Sequence, residues 1–345
     1  MPAGSINAKG EHAMPLLQIR DVRTWFPVRR GILARTVGQV RAVDGVSLDL
    51  HAGQTLGLVG ESGCGKTTLA RTIMGLAPAT EGHILFDGTD LLSLRGRALR
   101  ALRPRLQMIF QDPYSSLNPR QTIVDIVTEG LLTHRMIRPA QKEETAARLL
   151  QDVGMGPEPL HRYPHEFSGG QRQRISTARA ISMKPSLVVC DEPVSALDVS
   201  VQAQVINLLT DLRTAHNLAY LFISHDLGVV RHIADRIAVM YLGRIVESGS
   251  TRDVIDHPCH PYTRALVSAV PRVGGDYRSR IILEGDVPSP SSPPPGCPFH
   301  PRCPFAKAAC RTTIPPLEPC GAARGAAKSL ERLVACIRKE EIGTT

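Results

Sequence analysis

Residues 55 to 68 read Thr-Leu-Gly-Leu-Val-Gly-Glu-Ser-Gly-Cys-Gly-Lys-Thr-Thr, an apolar run, a glycine-rich loop and the beginning of a helix-spaced pattern. The chemistry this spacing suits is phosphate binding. Gly60, Gly63 and Gly65 carry no Cβ, so the backbone N–H groups of Gly60, Glu61, Ser62, Gly63, Cys64 and Gly65 can turn inward onto phosphate oxygens where a helix starts. Lys66 is expected to reach the β- and γ-phosphates of a nucleotide, and the Thr67 hydroxyl, with Thr68 beside it, to sit on Mg²⁺. Leu56, Leu58 and Val59 predict a buried strand before the loop; Leu69, Ile73 and Leu76 recur at helical spacing behind it. A glycine turn with a chance lysine would lack these flanks.

A second group of reactive residues closes the run Leu187-Val-Val-Cys-Asp-Glu-Pro193. Four apolar residues followed by two carboxylates is the pattern of a central parallel strand whose C-terminal end faces a ligand crevice. Burying two such charges costs several kcal/mol unless a cation compensates, and Mg²⁺ would do so. Asp191 is then expected on the metal, and Glu192 as the general base that polarises an attacking water. Gln111, leaving the apolar run Gln107 to Phe110, can touch both metal and water; in an ordinary loop it would do neither. His225 follows the apolar run Ala219 to Ile223 and can hold the water or sense the γ-phosphate; only its place after that strand sets it apart from a filler histidine.

Phe167-Ser-Gly-Gly-Gln-Arg-Gln-Arg174 opens a helix that continues through Ile175, Ala178 and Ile181. Ser168 is a natural N-cap, and Gly169 and Gly170 leave N–H groups open at the positive end of the helix dipole. An ordinary capped helix explains the serine but not the paired glycines ahead of Gln171. The stretch therefore reads as a second anion site.

These residues need a frame. With 345 residues and 42% hydrophobic content, the chain is expected to form one large α/β domain with an appendage. Leu17, Ile19, Val46, Leu48 and Leu50 alternate with polar residues and predict antiparallel strands flanking an insertion, Pro27 to Gln39. Trp25 and Phe26 precede that insertion; either can stack on a purine or fill a core. Ile123 to Val153 predicts a helical insertion, and Asp112 to Arg120 an exposed, turn-rich stretch suited to a partner. Val201, Val205, Leu208 and Leu212 mark an amphipathic helix, and Arg236 to Met240 with Gly243 to Glu247 a closing strand pair.

No apolar run approaches the roughly 18 residues of a membrane span, and Met1 to Met14 has neither the basic nor the apolar region of a leader, so a cytoplasmic protein with a loose start is expected. A net charge of +9 suits nucleic acid, an anionic membrane face or solubility equally, while 4% aromatic content argues against base-stacking platforms. Of eight cysteines, Cys64, Cys190 and Cys259 are scattered and Cys297, Cys303, Cys310, Cys320 and Cys336 crowd the end, beyond the proline- and serine-rich arm Asp286 to Gly296. That crowding suggests a metal before disulfides, and four thiolates suit structural zinc or an iron-sulfur cluster alike.

The order of phosphate loop, Gln111, Ser168-Gly-Gly-Gln171, Asp191-Glu192, Ser195 to Asp198 and His225 resembles that of the ATP-binding cassette (ABC) ATPases across residues 15 to 250. The resemblance implies a P-loop α/β ATPase with a parallel core sheet, an antiparallel subdomain and a helical subdomain at about 112–180, using ATP and Mg²⁺. Phe26 falls where that family stacks an aromatic on adenine. Two cassettes pair head to tail in the family, so Ser168 to Gly170 of one would complete the ATP site of another, identical or different. Gln111-Asp-Pro-Tyr-Ser-Ser-Leu-Asn-Pro-Arg120, Cys190 to Ser200 and His260 to Pro271 resemble the oligopeptide and dipeptide importer subunits, which extends the likeness through residues 251–345. It implies two membrane permease subunits, an extracytoplasmic substrate-binding protein acting indirectly, and a peripheral place on the cytoplasmic membrane face. Nickel or glutathione carriers of the same branch, or a nucleic-acid-associated cassette, are the alternatives; no nucleic-acid partner is expected. Related subunits carry a cysteine set similar to a [4Fe-4S] site, which would use Cys297, Cys303, Cys310 and Cys336 and leave Cys320 spare.

Overall fold

A computed structural model of the chain describes residues 14–31, 35–270, 281–320 and 332–342. The expected loose start, except Met14, lies outside the described residues. Twelve strands are described: β1 (Leu17–Arg30), β2 (Arg35–Leu50), β3 (Thr55–Val59), β4 (Glu81–Phe86), β5 (Thr89–Asp90), β6 (Leu106–Ile109), β7 (Leu187–Asp191), β8 (Ala219–Ser224), β9 (Arg236–Tyr241), β10 (Arg244–Ser250), β11 (Glu318–Pro319) and β12 (Leu333–Val334). The helices that matter for the site are α1 (Lys66–Ile73), α2 (Gly96–Leu102), α3 (Pro113–Ser116), α4 (Ile123–Thr133), α5 (Lys142–Asp152), α6 (Gly169–Ile181), α7 (Val199–His216), α8 (Leu227–Ile233), α9 (Thr251–Asp256) and α10 (Pro261–Ser268).

The strands form two sheets. One is antiparallel, in the order β2-β1-β4-β5; the other runs β11-β12-β10-β9-β3-β8-β7-β6, with β9, β3, β8, β7 and β6 parallel. Every residue of β3, β7 and β8 is buried, which is why these strands read as unbroken apolar runs rather than as alternation. The period of two is visible in β7 instead as a division of labour. Leu187 and Val189 face a core shared with β1, β2, β4 and α1, whereas Val188 and Cys190 face a second core shared with α4 to α8. The sheet is thus covered on both sides, and its strand ends are the surface left for chemistry.

Two expectations change. Pro27 to Gln39 is not a loop insertion: β1 and β2 pair through it, from Pro27 opposite Gln39 to Arg30 opposite Arg35. Val28, Thr36, Val37 and Val40 favour extended backbone, so the hairpin simply extends. Leu76 is not on α1 either, and it is exposed. Gly75 adopts φ +64°, and Leu76 N donates to Arg71 O at 2.7 Å while Gly75 N donates to Thr72 O at 3.0 Å, the paired bonds of a glycine-ended helix. The expected helical insertion is two helices, α4 and α5, packed on α6. The region after β10 is joined to the main sheet, with Glu247 opposite Val334 and Ser248 opposite Leu333. Among the described residues no helix is long and apolar enough to cross a membrane.

Candidate active site

The strand ends bring the catalytic candidates together. Val59 ends β3 at the phosphate loop, β7 ends at Asp191, β8 delivers His225, and Gln111 follows β6. The loop's shape depends on Gly65: at φ +108°, a Cβ there would stand 2.0 Å from Ala42 O. Lys66, only 4% exposed, donates from Nζ to Gly60 O at 2.8 Å and Glu61 O at 2.9 Å, with Cys64 Sγ at 3.8 Å. The ammonium is therefore fixed across the mouth of the loop. Ser62 is exposed, Thr68 half-buried, and burial pushes the Cys64 thiol up.

Thr67 Oγ1 donates to Asp191 Oδ1 at 3.0 Å. Asp191 is 3% exposed, and burial raises its carboxyl above the ordinary aspartate value against the lowering bond from Thr67. A buried carboxylate and a hydroxyl offered together are hard oxygen donors short of positive charge, which fits Mg²⁺. One residue further, Glu192 adopts φ +46°, a left-handed conformation that non-glycine residues take at a cost of about 1–3 kcal/mol. Its N–H donates to Ile223 O at 3.0 Å, which holds the turn. The carboxylate, 13% exposed, accepts on the same Oε2 from Gln111 Nε2 at 3.2 Å and pairs with His225 Nδ1 at 3.1 Å. Three residues far apart in sequence thus meet at one oxygen beside the phosphate loop.

The second glycine motif is placed differently. Ser168 Oγ accepts from Gln171 N at 3.3 Å, and Gln171 Oε1 accepts from Ser168 N at 3.0 Å, a reciprocal cap at the start of α6. A Cβ on Gly170 would meet Val201 Cγ1 at 2.6 Å, so α6 and α7 approach through that glycine. Ser168, Gly169 and Gln171 are exposed, and among the described residues no hydrogen bond joins this turn to the loop from Gly60 to Thr67. The turn after Gln111 leans on the same helix: Arg172 stacks over Tyr114 at 4.6 Å, and Arg179 Nη1 donates to Ser116 O at 2.6 Å. Phe26 is 38% exposed, whereas Trp25 lies between Arg23 and Arg41, 5.9 and 5.0 Å from its ring.

The cysteines beyond β10 fall into two groups. Cys297, Cys303, Cys310 and Cys336 line one cavity of about 20 Å³ with Phe299 and Ile337. Burial pushes the Cys297 thiol up to about 11 and raises Cys303 and Cys336, with the other cysteines adding to each. Soft donors in an apolar lining suit an iron-sulfur cluster or zinc, but the cavity is the size of about one water, and among the described residues no three donors are set around one ion. Cys320 does not line that cavity; its sulfur lies 2.7 Å from that of Cys259, both as free thiols, so Cys259 is not an isolated cysteine.

Sequence reasoning missed three residues that tie the region after β10 to the rest of the chain, one on β10 and two beyond it. Glu247 is fully buried and accepts from Cys259 N at 2.9 Å, His260 N at 2.8 Å and Arg332 Nη2 at 2.6 Å. Tyr262 and Arg302 both reach Glu61 of the phosphate loop. Nothing local marks them, because their partners are remote in the chain.

Comparison with known proteins agrees with this geometry. The ABC transporter family model matches residues 43–195, and the model for the oligopeptide/dipeptide transporter C-terminal region matches residues 246–310. The oligopeptide transport ATP-binding protein AppF of Bacillus subtilis (strain 168) is 54% identical over 304 residues, 87% of this chain and 92% of that one. The oligopeptide transport ATP-binding protein OppF of Escherichia coli (strain K12) is 50% identical over 320 residues, 91% of this chain and 96% of that one. In fold, the chain is similar to the ATP-binding cassette MJ0796 in its dimeric post-hydrolysis state with ADP and Pi, at TM-score 0.61 and 23% identity over 68% of this chain and 99% of that one. A phosphate loop after β3 and an acid pair at the end of β7, brought together across β8 and set in a sequence with these relatives, leave one assignment: the chain belongs to the ABC transporter ATPases, in their oligopeptide/dipeptide transporter branch.

Proposed function

We propose that this chain is the ATP-hydrolysing subunit of an importer for oligopeptides or dipeptides, acting with membrane permease subunits and a second cassette. The observation that carries the catalytic part is the meeting of Gln111 and His225 on Glu192 Oε2, one residue beyond the buried Asp191 that Thr67 contacts. The cargo class rests on the 50–54% identity to oligopeptide transport ATP-binding proteins and on the match at residues 246–310.

In this reading the N–H groups from Gly60 to Gly65, apart from that of Glu61, which donates to Tyr262 Oη at 2.8 Å, bind the β- and γ-phosphates with the Lys66 ammonium, while Thr67, Asp191 and Gln111 hold the metal. Mg²⁺, when bound, neutralises charge between the phosphates. Glu192 accepts a proton from the attacking water as His225 and Gln111 fix its carboxylate, and the fixed dipoles of loop and helix supply the rest of the stabilisation. Phe26 stacks on adenine. Ser168, Gly169 and Gln171 lie exposed, with Gly170 half-buried between them, and none is linked to this chain's own loop among the described residues, which supports their serving the ATP site of a second cassette. Closure passes from Gln111 through the turn at 113–116 to α6 by the Tyr114–Arg172 and Ser116–Arg179 contacts, and outward to the permeases.

The cassette is assigned residues 15–250, with its helical subdomain at about 112–180, and the branch-specific region residues 251–345. The same importer would take cargo from an extracytoplasmic binding protein and hold this subunit on the cytoplasmic membrane face. The thiols of Cys297, Cys303, Cys310 and Cys336 are proposed to hold a [4Fe-4S] cluster, which requires them to spread from their present cavity. Iron and sulfide analysis of protein purified without oxygen tests that part, and absence of both refutes it. Purification from the native cells in mild detergent tests the whole: two integral-membrane subunits should accompany the chain, and the reconstituted assembly should accumulate labelled peptide only with ATP. Uptake of another solute in place of peptides would overturn the cargo.

A further inference from the structure

Glu61, the residue after Gly60 in the phosphate loop, is held from outside the cassette. Arg302 forks onto its carboxylate, Nη1 to Oε2 at 2.8 Å and Nη2 to Oε1 at 3.3 Å. Tyr262 Oη accepts from Glu61 N at 2.8 Å, and Lys66 Nζ donates to Glu61 O at 2.9 Å. One residue of the cradle is thus gripped at its N–H, its carbonyl and its side chain, and two of the three grips come from beyond β10.

The Arg302 side chain is 8% exposed and that of Glu61 27%, so the pair is shielded from the water that would screen an exposed one. The arginine is anchored in turn. Phe299 packs on Tyr241 at 5.3 Å and on Tyr262 at 5.5 Å, and Arg302 N donates to Phe299 O at 3.0 Å, which ties its backbone to that aromatic group. A carboxylate in a loop that must accept a triphosphate repels its own ligand unless it is neutralised.

We infer that Arg302 is a positioning residue for the phosphate loop: it neutralises and fixes the Glu61 carboxylate so that the loop accepts MgATP, which makes the region after β10 part of the nucleotide site. The inference rests on the reading of residues 60–67 as the ATP site. It names a role for a side chain that the cassette motifs do not include.

MgATP affinity and phosphate release are measured on the full-length chain carrying R302M, R302K, E61Q and R302M/E61Q. R302M should weaken MgATP binding about tenfold, because the stranded carboxylate then faces the phosphates. R302K should recover part of this, and R302M/E61Q should return to within about threefold of wild type, since the offending charge is gone. An affinity for R302M within about twofold of wild type overturns the inference. So does a double variant no tighter than R302M, the outcome of a merely structural role. If R302M does not fold, E61Q decides: it leaves Arg302 facing the phosphates, so its affinity should equal or exceed that of wild type, and a loss beyond about threefold refutes the charge argument. Wild-type chain that binds no MgATP would count against the ATP-site reading itself.

Discussion

Replacing Glu192 by glutamine changes one atom at the centre of the site and leaves its supports in place. The left-handed backbone at Glu192 is held by its own N–H bonded to Ile223 O at 3.0 Å, which does not involve the side chain. A glutamine oxygen can still accept from Gln111 Nε2 and His225 Nδ1, now 3.2 and 3.1 Å from Oε2. The groups that bind nucleotide are elsewhere: Lys66 on the Gly60 and Glu61 carbonyls, and Thr67 on Asp191. What disappears is the capacity to take a proton. A positioned general base contributes about 10²–10⁴-fold, or about 2.7–5.4 kcal/mol of barrier. Glu192→Gln should therefore bind MgATP within about threefold of wild type while releasing phosphate at least about a hundredfold more slowly. Because the closed pair is then not discharged, it should persist as an MgATP-dependent dimer on size-exclusion chromatography with light scattering. Turnover within about tenfold of wild type would refute the assignment of Glu192 as base. Lost affinity would instead mean that the carboxylate organises the pocket.

Lys66→Ala should weaken MgATP binding by about a hundredfold, the loss of a buried ammonium and its charge-assisted bonds, as read by titration of the folded chain; affinity within about threefold would contradict the cradle. Gly65→Ala places a Cβ 2.0 Å from Ala42 O at φ +108° and should lower both stability, by more than about 2 kcal/mol, and nucleotide affinity; an unchanged urea midpoint would mean that the loop and Ala42 can part freely. His260 gives a pH test. Burial pushes its imidazole down to about 3, while Nδ1 accepts from Tyr262 N at 3.1 Å. The unfolded chain takes up this proton as pH falls through about 6.5, and the folded chain does not until about 3. Stability tied to this residue is therefore lost on acidification across that window, by about 2 kcal/mol at pH 5 relative to pH 7. His260→Gln should shrink the difference between urea midpoints at those two pH values, and an equal acid loss in both proteins would refute the argument.

The nucleotide site was legible in the sequence where chemistry and local structure coincide. An apolar run ending in glycines and Lys66, or in Asp191 and Glu192, shows at once the strand, its burial and the group displayed at its end, because buried parallel strands have no polar face to interrupt them. The cap at Ser168 was legible for the same reason, since Ser168 and Gln171 satisfy each other within one turn. The base of the β1–β2 hairpin was legible in the alternation of Leu17, Ile19, Val46 and Leu48, but its far end was not. Its pairing runs through Pro27 and Gly38, residues that locally read as breaks, and cross-strand partners hold it against that preference. Leu76 misled because periodicity cannot see the glycine that turns the chain one residue earlier.

The grip on Glu61 was invisible on different grounds: Arg302 is 241 residues away, and neither residue is unusual in its own stretch. That separation also bears on how the chain works as a unit. The aromatic group formed by Tyr241, Tyr262 and Phe299 lies between the cysteine-lined cavity, which Phe299 borders, and the phosphate loop, which Tyr262 and Arg302 hold. Cys297 and Cys303 flank both Phe299 and the turn that carries Arg302, so cavity and grip are built from one short stretch of chain. A rigid, close-packed link of this kind has few ways to absorb a displacement without passing it on. The region after β10 therefore shares its packing with the nucleotide site through Phe299, Tyr262 and Arg302.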